Sequence, residues 1–316
     1  MSPRASLWFS VTAVLGACAS AGANNPPWSF EMADPRGDVR LEHPAHPDIE
    51  RGTFDLEHVK LERVGDRFEL EVTFAAQVRR LTDVRPARDR VVEMVPMTID
   101  VYLDTRDGGQ VDALPGRGFR VPAGEAWDHV LVMSELPDLS ETGLIHAQRV
   151  TVAGRRLHAT FLAAGVEDVR GVLVVVLATS SSGDGRVRQV GSTGECRVWD
   201  DFRCVLIGTD PPVIDALGEV KPGRPVALHY AEGRRPAVSA TPVIFVRGKL
   251  IGVAPIQPGQ AIVGRFATVV DATGQALATA VVLSVVGDTA SLEVTGEGTV
   301  EGATGVVFDA APGQPR

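Results

Sequence analysis

Four aspartates, Asp34, Asp38, Asp55 and Asp104, are the residues whose type and placement best suit chemistry. Carboxylates are the hard oxygen ligands that calcium takes, and Gly37 permits a tight loop between the first two. The same residues have a plainer use. Asp34 and Asp38 fit Asx-type turns, and Asp104 fits the solvated face of a strand. A second cluster, His43-Pro44-Ala45-His46 with Glu42 and Asp48, has zinc-binding residue types. It lies in a proline-interrupted, extended stretch with no third ligand at metal-site spacing, and reads as a surface loop.

Aromatic rings are the other chemical resource, because a flat apolar ring complements the C–H face of a sugar. They make up only 5 % of the chain, so each one counts. Trp199 and Phe202 lie in CRVWDDFRC, between Cys196 and Cys204 and beside Asp200 and Asp201. The two cysteines are close in sequence and have no C-x-x-C spacing or neighbouring histidine, so a short-loop disulfide is the expected pairing. Its small loop puts its effect at the low end of about 2–4 kcal/mol. The loop is either a stiffened binding tip or a flap with Trp199 turned inward. Trp127 is the third candidate ring, for stacking on a ligand or for filling a core.

Catalysis finds no pattern to rest on. There is no G-x-S-x-G, no H-E-x-x-H and no P-loop, and acid pairs among 40 acidic residues say little without geometry. No catalytic residue is assigned, and a glycoside hydrolase is the least favoured class. The net charge of −9 argues against a nucleic-acid partner.

Strands separated by Gly and Pro turns must position these residues. At the N-terminus, Arg4, the apolar run from Leu7 to Ala17 and the small residues after it read as an export signal over residues 1–23. Leu15-Gly16-Ala17-Cys18 fits a lipobox that would leave Cys18 lipidated, whereas Ala19-Ser20-Ala21 fits cleavage to a soluble product. Either way the membrane would be met only through an acyl anchor, with the outer membrane or periplasm as the destination. Phe68, Leu70, Val72 and Phe74 alternate with Glu69, Glu71 and Thr73, and Gly65-Asp66 turns this strand back on residues 54–61, with Phe54, Leu56, Val59 and Leu61 apolar. A parity change between Leu56 and Val59 predicts a bulge. Ile99, Val101 and Leu103 alternate with Asp100, Tyr102 and Asp104, the pattern of a half-buried strand. Val172–Leu177 is continuously apolar and suits a strand buried on both faces. Lys221-Pro222-Gly223-Arg224-Pro225 reads as a linker. The expected division is therefore a β-sandwich, immunoglobulin-like or jelly-roll-type, over 24–219, and a small Gly/Val-rich β-barrel or sandwich over 220–316.

Three blocks in order carry a family resemblance. They are Asp34-Pro35-Arg36-Gly37-Asp38 with Gly52-Thr53-Phe54-Asp55-Leu56; Asp100-Val101-Tyr102-Leu103-Asp104 with Asp112-Ala113-Leu114-Pro115-Gly116-Arg117; and Asp210-Pro211-Pro212-Val213-Ile214-Asp215. Over about residues 28–218 the chain resembles the C-terminal module of glucodextranase and related pullulanase-type surface enzymes. The resemblance implies a β-sandwich for carbohydrate or cell-surface attachment, with calcium near the first block. Val39 stands where the family has a second acid, and no glycosidase domain accompanies the module here. The expected function is a non-catalytic, exported envelope protein that binds a glycan or other envelope component. The alternative is an assembly protein of the envelope that acts through protein partners.

Overall fold

The computed structural model describes residues 28–39, 52–80, 91–92, 95–115, 117–133, 143–163, 165–179, 187–188, 213–218, 224–236, 239–296 and 298–309. Among them there is no helix, and the all-β expectation holds. Strands β1 (Trp28–Ala33), β2 (Leu56–Val64) and β3 (Arg67–Phe74) form an antiparallel edge. Gly65 makes the β2–β3 turn with φ 62°, a left-handed backbone that glycine adopts without a Cβ clash. The predicted bulge is present, since the β2–β3 register shifts between Leu56 and His58.

The next strands are β4 (Val91–Val92), β5 (Met97–Asp104), β6 (His129–Val132), β7 (Leu144–Ala153), β8 (Arg156–Leu162) and β9 (Gly171–Thr179). Three short ones follow: β10 (Val187–Arg188), β11 (Val213–Ala216) and β12 (His229–Tyr230). One ladder runs β1-β2-β3-β8-β7-β6-β5-β9-β10, with β11 and β12 also on β9 and β4 on β7. It curls into two layers because β7 serves both. Leu144–His146 pair in parallel with β6, and Ala147–Ala153 pair antiparallel with β8. Between the layers Phe54, Phe68, Phe74 and Phe161 meet Ile99, Val101, Val174 and Val176. Each such side chain stabilises the fold by about 1.5–3 kcal/mol relative to exposure.

The strand expected to be half-buried, β5, is buried along its whole length. Its second face, with that of β9, lies under Leu114, Val121, Trp127, Val213, Val226 and Leu228, which form a second core. Asp100 survives there because Arg117 folds in over it, with Nε donating to Oδ2 at 2.7 Å. Tyr102 packs edge-on against Phe119 and Trp127 at 5.4 and 5.3 Å, and its hydroxyl accepts the Leu114 N–H. Alternation alone reads Asp100 and Tyr102 as a wet face. The covering segments overturn that reading, and they extend past residue 220, the expected boundary.

The remaining strands, β13 (Thr241–Arg247), β14 (Leu250–Val253), β15 (Phe266–Val270), β16 (Ala276–Val286), β17 (Thr289–Val294) and β18 (Gly305–Phe308), close a barrel in the order β13-β14-β17-β16-β15-β18. A six-stranded barrel has a narrow interior, filled by the small Ala267, Ala278, Ala280 and Ala290 set among Ile251, Val253, Val269, Leu292 and Val306. Barrel and sandwich meet through Arg120, which pairs with Asp309 and lies 4.4 Å over the Phe266 ring. Nearby, the Ala123 N–H donates to Thr268 Oγ1 at 2.7 Å.

Candidate functional site

Asp34 directly follows β1, Asp38 ends the turn at Gly37, and Asp215 lies on β11 after a register shift against β9. One carboxylate oxygen from each lies within 4.8 Å of the others. Backbone donors fix them. Asp215 Oδ2 accepts the Leu56 N–H at 2.7 Å, and Oδ1 accepts the Ala216 N–H at 2.9 Å. Asp34 Oδ1 accepts the Gly218 N–H. The group therefore ties the β1–β2 edge of one layer to β11 on the edge of the other.

Its electrostatics are unfavourable as drawn. Asp34 is 8 % exposed and Asp215 1 % exposed, and Asp34 Oδ2 is buried with no hydrogen-bond donor among the described residues. Burial pushes Asp215 up to about 8, and Asp34 and Asp38 add to the rise. Burial likewise pushes Asp34 up to about 7, with Asp38 and Asp55 contributing. The nearby Arg36 guanidinium is engaged with Glu57. Carboxylates this close need a shared proton or a cation between them, and oxygen-only donors suit a hard divalent ion. The donorless Asp34 oxygen fits such an ion.

The expected set of four acids is thus redrawn. Asp34 and Asp38 come together. Asp55 takes the Gly37 N–H on both oxygens, at 3.1 and 3.0 Å, and so holds the turn. Asp104 belongs elsewhere. It pairs with Gly171 of β9 whereas Asp215 pairs with Val176, five residues further along, or roughly 16 Å at strand rise. Asp104 instead accepts from Arg170 at 2.7 Å and from the Tyr230 hydroxyl at 3.0 Å.

Trp127 is also corrected as a stacking surface. It is 1 % exposed, and its indole N–H donates to the Asp112 carbonyl at 3.0 Å, so the ring is part of the second core. Trp199, Phe202, Cys196, Cys204, Cys18, His43 and His46 lie outside the described residues. Sequence reasoning missed Asp215 as a donor. The available signal was that it closes the third resemblance block, as Asp34 and Asp38 bound the first. Arg170 and Tyr230, the partners of Asp104, carry no sequence signal.

Comparison with known proteins identifies a family. Residues 30–221 match the model of the C-terminal binding-module, SLH-like, of glucodextranase. No curated protein matches the chain. The matched span covers well over half of the sequence and includes all three acids of the group. The chain belongs to the glucodextranase C-terminal binding-module family, a family of binding modules and not of catalytic domains.

Proposed function

We propose that this is an exported, non-catalytic protein of the bacterial envelope that attaches to a carbohydrate at the cell surface. The observation that carries the reading is the binding-module match over residues 30–221. The export-type N-terminus, with Cys18 at a lipobox position, supports a lipid-anchored or otherwise extracytoplasmic location. A glycan array probed with the full chain tests the binding. Retention on a defined class of saccharide is expected. Absence of binding to every saccharide, with recovery of a protein partner instead, would overturn the reading.

The proposal includes a divalent cation, calcium by the hardness of its donors, held by Asp34, Asp38 and Asp215. The ion would neutralise the buried carboxylates and fasten the two layers at one edge. A ligand that binds only the folded state raises stability by mass action, by about 2.7 kcal/mol at a hundredfold excess over Kd. Melting in chelator and in excess calcium should therefore differ, and identical melts would remove the ion.

A second reading, attachment to an envelope protein, has its own observation. The barrel exposes the apolar side chains of Ile244, Phe245, Val246, Val263 and Val286, which a protein partner would cover. Cross-linking from position 286 in intact cells would return one defined envelope protein if the barrel surface there is a contact. Cross-links to no protein would leave the carbohydrate reading alone.

A further inference from the structure

We propose that the cavity between the sandwich and the barrel is a carbohydrate pocket for a neutral mono- or disaccharide unit. The inference rests on the carbohydrate reading above and gives it a location. The cavity holds about 400 Å³, within the about 300–1,000 Å³ usual for small-molecule sites, which favour junctions between domains. Arg106, Asp107 and Arg170 line it from the sandwich, and Ser239 and Phe308 from the far side. The junction is held by the Arg120–Asp309 pair and the Ala123–Thr268 hydrogen bond, so the pocket is preformed.

Its charges and open hydrogen-bonding groups together define the ligand class. Arg170 gives one terminal nitrogen to Asp107 and the other to Asp104, both at 2.7 Å. Arg106 Nε donates to Asp128 Oδ1 at 2.9 Å. Asp104, Asp107 and Asp128 outnumber the two guanidiniums they pair with, which removes the attraction an anionic ligand would need. Hydrogen-bonding capacity is left over, however. Arg106 is 76 % exposed and is held only through Nε, so its terminal nitrogens face the opening. Asp107 is exposed and accepts from Arg170 through Oδ1, and Ser239 brings an exposed hydroxyl. Unmet donors beside open acceptors match sugar hydroxyls, which both accept and donate. Val307, Phe308 and Ala126 supply an apolar wall for the sugar's C–H face.

The test is amide NMR on the full chain, titrated with glucose, galactose, mannose, N-acetylglucosamine and their disaccharides. Saturable shifts at Gly108, Gly124 and Ser239 are expected for at least one sugar. Ser239→Trp should fill the pocket, and Arg106→Met should remove the exposed terminal donors. A charge-assisted hydrogen bond is worth about 1.5–3 kcal/mol, so each variant should lose roughly tenfold to hundredfold in affinity. Because Ser239 is exposed, an unchanged melt will separate lost binding from lost folding. Shifts confined to other residues, or wild-type affinity in Ser239→Trp, would overturn the inference. Sugar binding on the array without a response at the cavity sinks this pocket alone. Absence of binding in both experiments sinks the carbohydrate reading with it.

Discussion

Replacing Arg117 with methionine should lower the melting temperature sharply, although the residue touches no proposed ligand. Arg117 Nε lies 2.7 Å from Asp100 Oδ2, and the two side chains are 3 % and 0 % exposed. Solvent cannot take over when the guanidinium is removed, so Asp100 stays as an uncompensated charge inside the second core. Breaking a buried pair from one side costs about 3–5 kcal/mol. At about 2–4 °C per kcal/mol for a chain of this class, the fall should be about 6–20 °C. The double variant Asp100→Leu, Arg117→Met removes both charges and should recover most of the loss, since an apolar replacement of a buried pair is often neutral. Near-UV circular dichroism follows the transition directly, because Tyr102 and Trp127 pack in the same core. Two results would refute the reasoning. One is an Arg117→Met melt matching wild type; the other is a double variant as unstable as the single.

Other outcomes follow from the same structure. Burial raises Asp34 to about 7 and Asp215 to about 8 from an ordinary value of 3.8. In chelator the folded chain thus keeps protons that the unfolded chain has lost, and stability should fall as pH rises from about 4 to 8. Urea titrations at pH 5 and pH 8 check the sign, and excess calcium should reduce the loss at the upper pH. Asp34→Asn keeps an oxygen for the Gly218 N–H and removes one buried charge. It should therefore stabilise the chelated protein at pH 8 while abolishing any calcium-dependent rise in Tm. Gly143→Ala places a Cβ 2.4 Å from the Asp128 carbonyl at φ 98° and should cost about 1–3 kcal/mol or more in a urea melt. Arg120→Ala removes the Asp309 and Phe266 contacts, and hydrogen exchange should then speed up in β15 and β18 before it does in β5.

Strands were legible where one face is wet. The alternation in Phe68–Phe74 and the Gly65-Asp66 turn led directly to β2 and β3, and the parity change marked the bulge. β9 was legible for the opposite reason, as an unbroken apolar run. β5 misled because its polar residues face a covered surface. Asp100 looks solvated until Arg117, seventeen residues away, is folded over it. The same blindness to long-range contacts explains the acids. Asp34 and Asp38 share one turn and could be paired by eye. Asp215 joins them only through the pairing of β11 with β9, 181 residues from Asp34 by the chain numbering. Asp104 was grouped with them by residue type, yet strand register separates it. Trp127 could be read either as a ring for a sugar or as core filler, because sequence cannot show which side of a loop is covered.

Carbohydrate attachment without cleavage is tested most directly by incubating the full chain with protein-free glycan prepared from the envelope of its own cell. The expected result is saturable co-sedimentation, competed by soluble fragments of the same glycan, with no reducing ends released on long incubation. Retention only by envelope preparations that still contain protein, or steady release of reducing ends, would contradict it.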